Sequence, residues 1–377
     1  MRVLLLYPYP NHTRTIKKFS FLLKKEGIYN DAICVRDFTW IHNSDLPFIK
    51  IFKKLSILQS TFRPYKYREK YISLFNERIM RLLFSLYDKV DIHAFRAENM
   101  TWTYKCLCWN IKYDITLWGS EVLRATNKEI LDVEWGYKGA NSIRGIDIML
   151  NKLSNIFNHR YDDKMLKAFF GNTNYDIIDK ISFKQADILA NNLGIKIPGK
   201  LIVTCGYNGH PQQQHDIMIE VLKKLPSHIK GRINVVVPMT YGLNESYYQE
   251  IKKKLANIDI NHIILKKFLK PEELAALRIT SDIVINTQTT DAFCSALQDH
   301  LYCKNVVIIA DWLDYPEYDN NNVFYIKTSK EDLYNNILYS IEHYEELKEK
   351  TQSNKEKLKK LTSWSNVLPA WIEAMKS

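Results

Sequence analysis

Two carboxylates eight residues apart, Asp291 and Asp299, stand in the stretch from Ser281 to Ala310, SDIVINTQTTDAFCSALQDHLYCKNVVIIA. The apolar run Ile283-Val284-Ile285 predicts a buried strand, a polar loop runs from Thr287 to Asp291, and a helical segment covers Phe293 to Tyr302. A second strand run, Val306 to Ala310, closes the stretch. In a parallel sheet this order puts the loop and the helix start at the carboxyl end of a strand, where open α/β sheets bind ligands. Free backbone N–H groups and the helix dipole near Ser295 favour a phosphate there. At ~3.6 residues per turn the two Asp residues lie about two turns apart on roughly one face. One at the mouth and one deeper would suit the hydroxyls of a sugar and of a ribose. Taken alone, the pair equally suits a helix cap and a solvated face.

A second stretch has the same form. Leu201 to Cys205 predicts a strand, followed by GYNGHPQQQH from Gly206 to His215 and a helix from Asp216 to Leu225. Strand, glycine loop and helix make a phosphate cradle, because Gly206 and Gly209 let the backbone approach an anion that faces the helix start. His215 also reads as a plain helix-start residue. No G-x-G-x-x-G occurs, which argues against a nicotinamide enzyme.

The elements that must position these loops alternate along the chain. Arg2 to Tyr9 predicts a first strand ended by Pro8 and Pro10; Asn11-His12-Thr13 form a loop, and a helix runs from Ile16 to Lys25 with Thr13 as a cap. His12 in that loop would face a ligand or solvent. Val90 to Ala94 and Ile115 to Trp118 are further strands, the latter entering Gly119-Ser120-Glu121. Residues 122 to 180 read as helix-rich and without chemistry, and Ala186 to Asn191 as the last strand of a first domain. Pro198 and Gly199 mark Ile195 to Gly199 as a linker. Beyond it, Ile233 to Pro238 is a strand ending in Met239-Thr240-Tyr241-Gly242, Glu245 to Ala256 a helix, Ile263 to Leu265 a strand, and Pro271 a helix start. Val323 to Ile326 reads as a last strand, residues 330–361 as charged helices, and Trp364 to Met375 as a final amphipathic helix.

A chain of 377 residues with 46% hydrophobic content suits two domains with real cores. No run approaches the ~18 apolar residues of a membrane span, and the amino-terminal apolar run reads as a strand instead of a signal peptide. The net charge of +11 calls for an acidic partner: a phosphorylated ligand, an anionic membrane or nucleic acid. Six cysteines without zinc spacing read as reduced thiols in a cytoplasmic protein. Residues 48–70 set Lys53, Lys54, Arg63, Lys66 and Arg68 among aromatics against the single acid Glu69. That pattern suits an anionic membrane interface, or a core helix with a solvated basic face.

The D-x7-D spacing followed by VVII resembles the E-x7-E region of the GT-B glycosyltransferases, family 4 in particular, with Asp in both places. G-x-N-G-x-P-x-x-x-H, VVVPMTYG and the TLWGSE that ends the strand at Trp118 resemble the family that transfers the acetamido-dideoxygalactose of enterobacterial common antigen from a TDP-sugar. The resemblance implies an α/β fold of two Rossmann-like domains facing a cleft. Residues 1–197 would bind the acceptor, 198–355 the nucleotide sugar, and 356–377 would return to the first domain. It implies transfer from a UDP- or dTDP-linked sugar to a glycan or lipid-linked hydroxyl in bacterial surface polysaccharide or lipopolysaccharide synthesis. No cofactor, no metal and no nucleic acid would be involved, and the enzyme would sit on the inner face of the membrane.

On that implication Asp291 holds the donor sugar and Asp299 the ribose, while Phe268 and Leu269 sit on the base. Thr240 and Tyr241 line the same site with Tyr207, Asn208 and Ser295. The Arg and Lys that neutralise the diphosphate in family 4 are missing, so Gln214, His215, the amides at Gly206 to Gly209 and Lys266 or Lys267 would serve. Glu121, with His12 in reserve, would be the base of an inverting reaction; family 4 implies retention, which needs none. The alternatives are a sugar-nucleotide epimerase of the same fold, and a non-catalytic basic protein that binds nucleic acid or polysaccharide. Neutralising Lys53, Lys54, Lys66 and Arg68 together should weaken sedimentation with anionic vesicles; unchanged binding would remove the membrane role of the segment.

Overall fold

The computed structural model describes residues 1–8, 12–35, 40–42, 78, 81–95 and 97–377. The basic segment 48–70, with its proposed membrane contact, and Asn11 lie outside them. The chain divides into two compact units, residues 1–170 with 367–377, and residues 171–366.

The first unit holds a seven-stranded sheet. Its strands are β1 (Arg2–Tyr7), β2 (Tyr29–Cys34), β3 (Trp40–His42), β4 (Lys89–His93), β5 (Tyr113–Thr116), β6 (Ile143–Gly145) and β7 (Met165–Lys167), in the order β3-β2-β1-β4-β5-β6-β7. All pairings are parallel except β2 with β3. The run from Val3 to Tyr7 is buried because helices cover both faces of a parallel sheet. Residues 122–180, which read as helix-rich, also supply β6 and β7, each three residues long and too short to show a period.

Buried charges cross this sheet. Asp91 on β4 lies opposite Asp114 on β5, and both are 0% exposed. Two carboxylates side by side repel, so a cation must hold them. Arg144 on β6, also 0% exposed, donates to Asp91 at 3.1 Å and pairs with Asp114; Lys89 reaches Asp114 at 2.8 Å. Burial pushes the Asp91 carboxyl up, but His93 and the Arg144 guanidinium outweigh it and hold it at about 2. The same guanidinium donates to the Ala374 carbonyl at 2.9 Å in the helix Trp364–Lys376. Trp371 of that helix is 0% exposed and donates its indole N–H to the Phe169 carbonyl at 2.8 Å. Burying an indole of about 200 Å² stabilises on the order of 5 kcal/mol. These contacts are why residues 367–377 belong to the first unit.

The second unit holds a six-stranded, wholly parallel sheet in the order β10-β9-β8-β11-β12-β13. Its strands are β8 (Leu201–Cys205), β9 (Ile233–Pro238), β10 (Asn261–Leu265), β11 (Ile283–Asn286), β12 (Val306–Ala310) and β13 (Ile326–Thr328). The expected last strand at Val323 to Ile326 thus falls a few residues later, at β13. The strand expected at Ala186 to Asn191 is instead the helix Phe183–Asn192. Ser182 and Gln185 form a capping box at its start, and Ala186 and Ala190, four apart, are its buried face. Ala190 and Ile195 pack with Ile202, Val236 and Leu277, so this helix belongs to the second unit. The division therefore falls after Phe170 and not near residue 197. Residues 356–366 likewise stay with the second unit.

Replacing Arg144 by Met should cost about 3–5 kcal/mol in urea unfolding, because two buried carboxylates lose their shared cation. A change below about 1 kcal/mol would mean that Lys89 alone neutralises the pair.

Candidate active site

In the second unit the strand order reverses between β8 and β11, which opens a crevice at their carboxyl ends. Gly206 leaves β8 there with φ +65°, and its N–H donates to the Ile285 carbonyl at 2.9 Å. A Cβ at Gly206 would stand 2.8 Å from both Gln213 Oε1 and His215 Nε2, so no side chain fits. Gly209 donates to the Tyr241 carbonyl at 2.8 Å, which ties this loop to Thr240 and Tyr241 after β9. The sequence-predicted residues Gly206 to Gly209, Thr240, Tyr241 and His215 thus come together. Asn208 turns inward and accepts the His210 N–H at 2.9 Å.

His215 opens the helix His215–Lys223 and is 0% exposed. Its backbone N–H and its Nδ1 both meet the Tyr247 hydroxyl, at 2.9 and 3.2 Å. Burial pushes its pKa down to about 4, so the ring is neutral at pH 7. Gln214, in the left-handed region at φ +54°, donates its amide to the Thr287 carbonyl at 2.6 Å and not toward a diphosphate. Lys266 pairs with Glu245 at 3.0 Å and lies over the Tyr248 ring, while Lys267 is exposed.

The acidic pair divides. Asp291 sits in the loop after β11, where its Oδ2 accepts the Cys294 N–H at 3.2 Å and the Tyr315 hydroxyl at 2.5 Å. Phe293 has φ +59°, which excludes it from the helix, so that helix runs Ser295–Tyr302 instead of starting at Phe293. Ser295 is exposed at its first turn. Asp299 is 1% exposed; Asn172 and Asn174 donate to its two oxygens at 2.8 and 2.6 Å, and Arg278 Nε lies 3.8 Å away. Its carboxylate anchors the segment that opens the second unit, and the ribose role expected of it is a structural one here. Leu269 is 7% exposed within an apolar cluster, so it is core and not a base contact. Phe268 is 77% exposed and presents a free ring face.

Sequence reasoning missed the residues that brace the crevice. Gln288, 0% exposed, accepts from the Tyr207 hydroxyl at 2.8 Å and from Gln213 Nε2 at 2.9 Å; its carbonyl accepts the Trp312 indole N–H at 2.8 Å. Gln213 stands in the run Gln212-Gln213-Gln214, and only its inward direction separates it from Gln214, which no periodicity announces.

In the first unit the carboxyl ends of β1, β4 and β5 gather His12, His93 and Trp118. The His12 ring stacks on Trp118 with centroids 3.9 Å apart and planes 12° apart. The Trp118 indole N–H donates to His93 Nδ1 at 3.3 Å, and His93 Nε2 lies 3.3 Å from Asp91. Glu121, 6% exposed, accepts the Trp118 backbone N–H at 2.5 Å. So the two residues expected on the acceptor side meet on Trp118, while Glu121 also serves as a local cap. Among the described residues no group of three or more His, Cys, Asp or Glu is placed to hold a metal ion, and no helix is long and apolar enough to cross a membrane.

Residues 195–358 match the family model described as glycosyl transferases group 1. A glycosyltransferase from Rickettsia africae ESF-5 has a similar structure, with a TM-score of 0.72 at 16% identity over 100% of this chain and 97% of that one. Anabaena Alr3699/HepE in complex with UDP and glucose gives a TM-score of 0.72 at 12% identity, covering 100% of this chain and 99% of that one. The UDP-GlcNAc 2-epimerase of Neisseria meningitidis bound to UDP-GlcNAc gives 0.60 at 11% identity, covering both chains fully at 100%. No curated protein matches by sequence. The fold is GT-B. The family match covers the half that carries the glycine loop and the acidic pair, and with these neighbours it supports a glycosyltransferase.

Asp299→Ala should cost about 3–5 kcal/mol in thermal or urea unfolding, since Arg278, Asn172 and Asn174 lose a buried anion. A variant as stable as wild type would return Asp299 to the ligand.

Proposed function

We propose that the protein transfers a glycosyl group from a nucleotide-diphosphate sugar to a hydroxyl acceptor. The observation that carries this reading is the Gly206-to-His215 cradle at the β8–β11 switch point, inside the segment that matches group 1 glycosyltransferases. The place of this loop at the strand-order switch point, with the buried neutral imidazole of His215 at the helix start, suits a diphosphate. Stabilising charge on the departing diphosphate is the main catalytic demand. The bond from the sugar's anomeric carbon to the diphosphate oxygen breaks, and a bond to the acceptor oxygen forms at that carbon. The acceptor's proton passes to a base. His12 suits that task better than Glu121, whose Oε1 is engaged with the Trp118 amide. Asp291 remains the candidate for the donor sugar and Phe268 for the base.

The relatives point to the donor class. Anabaena HepE is seen with UDP and with UDP-glucose, which favours UDP over dTDP here. Metal-independent catalysis, a glycan or lipid-linked acceptor in bacterial surface polysaccharide synthesis, and residence on the inner membrane face complete the proposal. The shared fold of the Neisseria epimerase supports a second reading, interconversion of a nucleotide sugar without an acceptor.

Thermal stabilisation by UDP, dTDP, GDP and ADP tests the proposal first, because a ligand that binds only folded protein raises Tm by mass action. One diphosphate should raise Tm, and the matching sugar nucleotide should then glycosylate an added acceptor in the presence of EDTA. Sugar interconversion with no acceptor would establish the epimerase instead. No shift with any diphosphate, in folded protein, would leave a basic binding protein.

A further inference from the structure

The ring of His12 lies on a tryptophan. Its centroid is 3.9 Å from that of Trp118 and the planes differ by 12°, a stack over the face and not an edge contact. Both residues are half-buried, so part of the pair is open to solvent. His12 is the N-cap of the helix Thr13–Lys25, yet its side chain makes no capping hydrogen bond. Asn, Asp, Ser and Thr are the residues that serve that position. The imidazole is committed to the indole instead.

The indole is held by three groups of its own unit. Its N–H, which can only donate, points to His93 Nδ1 at 3.3 Å. The His93 proton therefore stands on Nε2, 3.3 Å from the Asp91 carboxylate. His93 and Asp91 are 0% exposed, so the edge of the indole is anchored in the core. Phe170 packs on the same ring with centroids 4.7 Å apart and a tilt of 40°. The Trp118 backbone N–H donates to Glu121 Oε1 at 2.5 Å, which fixes the loop that carries the ring. The face that His12 covers is not open to a sugar, so Trp118 is no stacking platform on that side.

The nitrogens of an imidazole bond in the ring plane, so a stacked ring directs them along the indole surface and not into it. The face of an indole carries the negative part of its quadrupole and attracts a cation. An imidazole over that face is thus oriented before a proton arrives, and the imidazolium is stabilised where it forms. We propose that Trp118 is the positioning residue of His12, setting the plane of its ring and stabilising the charge it gains on taking the acceptor's proton. The proposal rests on the glycosyl-transfer reading with His12 as base. In that step the acceptor O–H bond breaks and its proton bonds to a nitrogen of His12. The electron pair left on the oxygen forms the new bond to the anomeric carbon, and the diphosphate departs with the pair of the bond that breaks.

Transfer from UDP-glucose and UDP-GlcNAc to octyl glucoside tests this role in wild type, Trp118→Leu and Trp118→Phe. Trp118→Leu removes the aromatic face and should lower kcat about tenfold, with KM for donor and acceptor unchanged. Trp118→Phe keeps a face and should recover most of that loss. Equal kcat in all three proteins would overturn the proposal, and so would a raised acceptor KM at unchanged kcat, which would make Trp118 an acceptor contact. Proton NMR of the wild type, with His12 assigned through His12→Gln, should show the His12 ring protons moved upfield by the ring current of the indole. Unmoved protons would overturn the proposal even if Trp118→Leu fails to fold. Folded wild type that transfers from neither sugar nucleotide overturns the glycosyl-transfer reading, and this proposal with it.

Discussion

The second unit is built around one hydrogen bond, from the Gly206 N–H to the Ile285 carbonyl. It fastens the end of β8 to the end of β11 at the place where the strand order reverses. Gly206 stands there at φ +65°, so the chain turns sharply, and Gln213 and His215 pack against the place where a Cβ would be. Gln288 braces Gln213 from the loop after β11, and the Tyr315 hydroxyl on Asp291 fixes the same loop farther on. A Cβ at Gly206 would displace the first two and with them the rest.

The first unit follows a different rule. Its sheet is organised by charge, with Asp91 and Asp114 on neighbouring strands held by Arg144. Above that network His93 receives the Trp118 indole, and Trp118 in turn supports His12. Buried electrostatics and a surface aromatic stack are therefore one continuous structure. A chain of contacts runs from Arg144 through Asp91, His93 and Trp118 to His12.

The strands at Leu201–Cys205, Ile233–Pro238 and Val306–Ala310 were legible residue for residue, because apolar runs in a parallel sheet have clear ends at Gly, Pro or polar residues such as Asn305 and Asp311. The glycine loop was legible for the same reason. The short strands β6 and β7 were not, since three residues cannot show a period. Arg144 was missed with them: one Arg in a polar stretch gives no sign that two Asp residues 30 and 53 positions earlier will need it. Asp299 was misread because helical spacing gives the face a residue shares and not what covers that face. What covers it is Asn172 and Asn174, from a segment 125 or more residues away.

The helix Trp364–Lys376 gives the chain a temporal order. Arg144 and Phe169 await the Ala374 carbonyl and the Trp371 indole, which leave the ribosome only after the whole second unit has done so. Domains generally fold as units during synthesis, amino-terminal first. Here the amino-terminal unit is the one that must wait. Through most of translation Phe19 and Phe170 lack the Trp371 ring that packs on them, and the uninterrupted unit from Gly171 to Asn366 is the one equipped to finish first.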